Sequence, residues 1–115
     1  MQHRDKIILQ KILSEIDIAF DMLGDCDELS FVNDKKLKRA VGMTVINIGE
    51  LVKNVSDDLR SENKEVPWKA IAGMRDIAAH KYQTLRMEDV YNTVRMDFPD
   101  LKILLSAILE KSSQE

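Results

Sequence analysis

The spacing of the apolar residues constrains this chain most, because they recur at steps of three and four along most of its length. Between Lys6 and Leu23 the spacing brings one set onto a single helical face: Ile8, Leu9, Ile12, Ile16, Ala19, Phe20 and Leu23. A strand would instead need alternation at every second residue. We therefore predict a first helix from Lys6 to Leu23, ended by Gly24–Asp27, with residues 29–32 as a connector.

The same period continues in a longer second segment, for which Asn33 or Asp34 can serve as the N-cap. Its stripe consists of Leu37, Ala40, Val41, Thr44, Val45, Ile48, Leu51, Val52, Val55 and Leu59. We predict one helix that continues to about Arg60. At 1.5 Å per residue such a helix is about 40 Å long.

The opposite side of this second helix carries small or apolar residues too. Gly42, Met43, Ile46 and Gly49 form a second patch there, and Glu50 lies beside it. A helix that is apolar nearly all round is normally buried all round. Two alternatives are open: the patch faces a partner subunit, or the helix is the central helix of its own bundle.

Three further helices are predicted after the polar loop at residues 61–64. Pro67 suits the first turn of a third helix that extends to about Tyr82. A fourth begins at Thr84 or Arg86, and the sequence Asp97–Asp100 starts a fifth with an acidic cap. Only four Gly and two Pro in 115 residues, with 5% aromatics, favour helices over a sheet. The fold class predicted is all-α, an up-and-down bundle of about five helices in one domain over residues 1–115.

Composition excludes several classes of function. A net charge of −3 argues against a general nucleic-acid binder, so any RNA contact must be local. The lone Cys26 cannot form an internal disulfide, and no leader sequence precedes the first helix, which favours a cytoplasmic protein. No apolar run approaches the roughly 20 residues that cross a bilayer, so no membrane role is expected.

The rarer chemical side chains are concentrated in the third helix, residues 67–82, which contains the only Trp. Arg75, His80 and Tyr82 offer a guanidinium, an imidazole and a phenol, groups that can handle a phosphodiester without a metal. Arg75 and His80 differ by roughly 140° around a helix, so they cooperate only if the arginine reaches round or a symmetric partner supplies a second set. Asp76 lies one turn before His80 and could orient its ring.

Structural explanations exist for the same residues. Arg75 could be the salt-bridge partner of Glu50 or Asp76, His80 a capping side chain, and Tyr82 an aromatic that closes the core. No metal site is predicted, since one interior His among scattered carboxylates has no recognised ligand spacing. Cys26 has no base near it in the sequence, and no glycine-rich phosphate loop is present.

The segment Gly73–Tyr82 resembles the R-x4-H-x-Y signature of the HepT-like branch of the HEPN family, toxin ribonucleases paired with minimal nucleotidyltransferase antitoxins. The flanking sequences resemble that family too, at Ile48-Gly49-Glu50, at Pro67-Trp68 and at Asp97-Phe98-Pro99-Asp100-Leu101. The resemblance therefore covers most of the chain. Asp76 stands where many relatives carry Asn, which adds negative charge near the expected phosphate site.

The resemblance implies a dimerising, HEPN-like helical bundle that cleaves RNA without a metal or other cofactor. His80 would be the general acid or base, Arg75 would hold the scissile phosphate, and Asp76 and Glu50 would support them. Tyr82 would be the hydroxyl that a cognate minimal nucleotidyltransferase modifies with AMP. The partners implied are an RNA substrate, a second copy of the chain and this antitoxin.

Two rival interpretations remain open from the sequence. The chain could be a non-catalytic HEPN binding module that partners a nucleotidyltransferase, in which case Arg75 would hold a nucleotide and His80 would cut nothing. It could also be a plain interaction bundle, with Arg75 buried in a salt bridge. RNA cleavage that depends on His80 would distinguish a ribonuclease from both of these rivals.

Overall fold

The computed structural model describes residues 1–80 and 86–114, and gives only the backbone, not the side chains, for residues 75–80. Its helices are α1 (His3–Leu23), α2 (Glu28–Val32), α3 (Lys35–Lys53), α4 (Asp57–Glu62), α5 (Trp68–His80), α6 (Met87–Asn92), a π-helical turn (Thr93–Asp97) and α7 (Phe98–Ser113). No strand occurs in these described residues. The prediction of an all-α chain is therefore confirmed.

Helix α3 is the centre of the bundle, because it packs against both α1 and α5, while α7 closes the bundle against α1. Helices α1 and α3 run antiparallel, since Asp5 near the start of α1 contacts Ser56, which follows the end of α3. One hydrophobic core joins these elements. Its fully buried side chains include Leu9, Ile12, Ile16, Phe31, Val41, Ile48, Val52, Val94 and Leu105.

The glycine patch of α3 belongs to the interior of the chain and not to its surface. Gly42 and Gly49 are both buried within a single copy. The other two residues of the patch are accessible, since Met43 is 57% exposed and Ile46 is half-buried. For the glycines, the central-helix alternative is correct.

The predicted long second helix is in fact two helices. Helix α3 ends at Lys53, and Ser56 caps α4 by accepting a hydrogen bond from the backbone N–H of Leu59 at 3.2 Å. Arg60 donates to the carbonyl oxygens of Val52 and Val55, and the Val52 carbonyl also accepts from the backbone N–H of Val55 at 3.2 Å. Side-chain hydrogen bonds thus stabilise both the end of α3 and the start of α4.

The connector predicted at residues 29–32 is a short helix, α2. Asp27 is its N-cap, and its carboxylate accepts from the backbone N–H of Ser30 at 2.8 Å. That hydrogen bond, together with one from the Ser30 side chain, lowers the pKa of Asp27. Phe31 then buries its ring fully and holds this short helix on the core.

The predicted acidic cap at Asp97 is wrong, because α6, the π-helical turn and α7 form one continuous helical stretch. Asp97 has helical dihedral angles and makes no capping hydrogen bond, and the N–H of Phe98 donates to the carbonyl of Thr93. The stretch begins at Met87 after Arg86, one of the two predicted starting points. Tyr82 and Thr84, the other predicted boundaries, lie outside the described residues.

Two side chains of this last stretch fasten it to the turn after α1. Arg95 donates to the carbonyls of Gly24 and Cys26 at 2.7 and 2.8 Å, and Tyr91 donates to the Cys26 carbonyl at 2.8 Å. The guanidinium also lies 5.2 Å from the centre of the Tyr91 ring, at cation–π distance. Gly24 has φ +50°, a backbone conformation that residues other than glycine rarely adopt. We call these contacts the α1-turn latch.

Candidate functional site

Helix α5 carries the candidate residues, and its first turn is firmly anchored. Trp68 is only 6% exposed, and its indole N–H donates to the carbonyl of Asn63 at 3.0 Å. Pro67 precedes the helix, and its carbonyl accepts from the N–H of Ile71. Since Ile71 and Ala72 are buried as well, the first half of α5 is fixed against the core.

Arg75, Asp76 and His80 all belong to α5, whose backbone is helical as far as His80. Positions 75 and 80 are therefore separated by about 7.5 Å along the axis and by roughly 140° around it. Position 75 shares its strip with the buried Ala72, and position 80 shares its strip with the half-buried Gly73. The side chains of these three residues, and all of Tyr82, lie outside the described residues.

Glu50, predicted to support the site, lies near the end of α3 and is exposed. It contributes to an open cleft of about 440 Å³ between α1 and α3, lined by Lys11, Ser14, Glu15, Asn47 and Leu51. Its carbonyl accepts from the side-chain amide of Asn54 at 2.9 Å. The structure thus places Glu50 on the solvent side of the helix that supports α5.

A second feature of α5 was not predicted from the sequence. On the side facing α7, an apolar strip of α5 borders a cavity of about 200 Å³. The cavity is lined by Pro67, Ala70, Ile71, Met74, Thr93, Asp97, Phe98, Asp100, Leu101 and Leu104. The signal that could have revealed it is the pair of small side chains at Pro67 and Ala70, too short to fill the space before α7.

No group of three or more His, Cys, Asp or Glu side chains within residues 1–74 and 86–114 is arranged to hold a metal ion. Nor does any helix of the described chain have the length and apolarity needed to span a membrane.

The fold and the candidate helix define a class: an all-α bundle whose central helix supports a second helix bearing Arg, His and, beyond it, Tyr. The chain belongs to the family "Ribonuclease HepT-like", whose pattern matches residues 12–108.

Named relatives agree with this assignment. The chain is 34% identical over 103 residues to a "Putative RNase" of Caldanaerobacter subterraneus subsp. tengcongensis, covering 90% of this chain and 92% of the relative. A "Putative RNase" of Methanocaldococcus jannaschii is 36% identical over 103 residues, covering 89% of each chain. The "Probable ribonuclease HepT" of Thermococcus cleftensis is 31% identical over 102 residues, covering 89% and 93%. No solved structure matches the chain.

Proposed function

We propose that this protein is the toxin ribonuclease of a toxin–antitoxin pair, cleaving RNA at a dimer cleft without a metal. What carries the proposal is the R-x4-H-x-Y sequence at the end of α5, a helix held at its other end by the buried Trp68. Membership of the HepT-like ribonuclease family supports RNA as the substrate.

An RNA strand carries its own nucleophile, the ribose 2′-OH, so the enzyme needs proton transfer and positive charge. The 2′-oxygen attacks the adjacent phosphorus, and the bond from phosphorus to the 5′-oxygen breaks. The products are a 2′,3′-cyclic phosphate and a 5′-hydroxyl. His80 removes the proton from the 2′-OH or supplies one to the leaving 5′-oxygen. Arg75 binds the scissile phosphate and stabilises the charge that builds on it.

In this proposal two copies of the chain form the site: Arg75 and His80 do not share a helical strip, and of the two ways to bring them together we favour a symmetric partner. A symmetric dimer supplies a second set of both residues across the cleft. The exposed Met43 and half-buried Ile46 of α3 provide an apolar surface for such contact. Asp76 and Glu50 are proposed as supporting residues, Asp76 by orienting the imidazole.

Tyr82 is the proposed point of control. A minimal nucleotidyltransferase antitoxin transfers AMP to it: the phenol oxygen attacks the α-phosphorus of ATP, and pyrophosphate leaves. The bound nucleotide fills space beside Arg75 and neutralises part of its charge. An increase in intact mass by one AMP, absent in Tyr82→Phe, tests this step after co-expression.

The catalytic assignment is tested with purified protein and RNA in the presence of EDTA. We expect His80→Ala to lower the cleavage rate by about 10²–10⁴-fold, the usual contribution of general acid–base catalysis. His3→Ala is the matched control, since His3 is the chain's other imidazole and is exposed on α1. Equal rates for the two variants would refute the role of His80.

A further inference from the structure

The cavity between α5 and α7 has an apolar floor and an acidic rim. Met74 and Leu104 contribute apolar surface, and the two acids of the lining, Asp97 and Asp100, are exposed to solvent. A volume of about 200 Å³ exceeds the roughly 150 Å³ of an engineered cavity that admits benzene. The space is therefore large enough for one long side chain of another molecule.

The two carboxylates have no structural task within the described chain. Both are exposed, and neither has a hydrogen-bond or ion-pair partner among the side chains described in residues 1–74 and 86–114. An acidic residue at a helix start usually binds free backbone N–H groups there. That explanation fails here, because the π-helical turn continues into α7 and its carbonyls already take those bonds. Two unpaired negative charges thus border an apolar slot.

The apolar surface extends beyond the cavity on α7. Met96 and Ile103 are 68% and 67% exposed, and they lie four residues before and three residues after Asp100. Exposed apolar side chains on both sides of an acidic slot form a surface suited to protein contact. We call the cavity with these two residues the α5–α7 surface.

We propose that the α5–α7 surface binds a lysine or arginine of the nucleotidyltransferase antitoxin, a proposal that rests on the proposed function. The cavity takes the apolar stem of that side chain, and Asp97 and Asp100 pair with its cationic end. Met96 and Ile103 contact the residues that flank it. The antitoxin is thereby held on the helix that leads to Tyr82.

The negative charge of this surface argues against the other two proposed partners, RNA and a second copy of the chain. The phosphates of RNA would be repelled by two unpaired carboxylates. A second copy paired through the same surface by two-fold symmetry would bring the two acidic rims together, at a cost for each pair of like charges. A basic protein surface is the complement that remains.

Binding is measured by calorimetry between the full-length protein and a purified minimal nucleotidyltransferase from the same organism, without ATP. We expect Asp97→Asn/Asp100→Asn to weaken binding by about tenfold or more, and Ala70→Trp to do the same by filling the cavity. Added salt should weaken wild-type binding more than binding of the double variant. The control Asp89→Asn/Glu110→Gln removes equal charge from exposed positions outside the cavity lining and should bind like wild type.

Ribonuclease activity in the absence of antitoxin is measured on the same variants and should be unchanged. Wild-type affinity in both cavity variants overturns this proposal alone and leaves the proposed function standing. A wild-type protein that binds no nucleotidyltransferase overturns it together with the regulatory part of the proposed function. A higher KM for RNA in the double variant, or a changed oligomeric state, would assign the surface to RNA or to a second copy and refute it.

Discussion

At the scale of single residues, Asp5 is the least expected side chain in the structure. It is 2% exposed, yet it carries a carboxylate. Ser56 supplies both of its recorded hydrogen bonds, from its backbone N–H at 2.9 Å and from its hydroxyl at 2.6 Å. Because Ser56 also caps α4, one buried acid fixes the start of α1 to the junction between α3 and α4.

Asp5→Ala is expected to lower the free energy of unfolding by about 2–4 kcal/mol, since it removes two hydrogen bonds to a charged group and leaves a partly buried N–H unpaired. Urea denaturation measures the change. Asp21→Ala, an exposed acid on the same helix, is the control and should cost less than about 0.5 kcal/mol. A loss of similar size in both variants would contradict the role given to Asp5.

The lowered pKa of Asp27 predicts the direction in which folding stability changes with pH. Its folded-state pKa is lowered, first by the backbone hydrogen bond from Ser30 and then by that from the Ser30 side chain. Its stabilising contribution is therefore present above the unfolded pKa of about 3.9 and is lost as the pH falls through the folded value.

Asp27→Asn keeps a capping oxygen but removes the charge, so it isolates this effect. We expect wild type to exceed the variant in urea midpoint near neutral pH, with the difference shrinking as the solution is acidified below about pH 4. A difference that grows in acid would show that the sign is wrong.

At the scale of secondary structure, the start and face of each long helix follow from local sequence, whereas its end can depend on distant contacts. The apolar period continues through Val52, Val55 and Leu59, so the period alone does not separate α3 from α4, although Ser56 is a local cap for α4. The break is held by Asp5, which lies 51 residues away from Ser56 in the sequence. The π-helical turn could not be predicted from the apolar period either, because Thr93–Asp97 keeps Val94 on the buried face.

The α1-turn latch makes a prediction at this scale. Arg95→Ala removes three hydrogen bonds that this guanidinium donates, two to backbone carbonyls and one to Tyr91. Charged hydrogen bonds are worth about 1.5–3 kcal/mol each, less where the group is partly exposed. We expect a total loss of about 2–3 kcal/mol by urea denaturation.

Tyr91→Phe tests the tyrosine's part of the latch and should cost about 1–2 kcal/mol, since it removes the donor to the Cys26 carbonyl and the acceptor of the Arg95 Nε–H and keeps the ring packed against Phe31. Arg86→Ala is the control, because Arg86 is exposed and pairs only with Glu88 two residues away among its recorded contacts. Equal stability of Arg95→Ala and Arg86→Ala would mean that the latch contributes nothing.

At the scale of the whole molecule, the sequence predicted the helical bundle and the family, but not which surfaces stay open. Gly42 and Gly49 suggested an interface, and they are buried because α3 is the central helix. The α5–α7 cavity was missed because its walls come from segments about 30 residues apart. The roles of Arg75, His80 and Tyr82 remain predictions that rest on the motif.

The proposed dimer predicts a change of mass that light scattering can measure. Met43→Glu places a charge on the exposed apolar part of α3 and should shift the protein from dimer to monomer in light scattering, with loss of ribonuclease activity. Leu29→Glu is the control, since Leu29 is 72% exposed on α2 and should leave the dimer intact. If both variants dissociate, or if neither does, the result contradicts a dimer interface at Met43.

The most direct test of the account is cleavage of an RNA oligomer that carries a single 2′-deoxy nucleotide at the site cut in the unmodified strand. We predict no cleavage at that position in EDTA, and a 2′,3′-cyclic phosphate on the product of the unmodified strand, because the 2′-oxygen is the nucleophile. If the 2′-deoxy oligomer and the unmodified oligomer are cleaved at this position at equal rates, the chemistry assigned to Arg75 and His80 is contradicted.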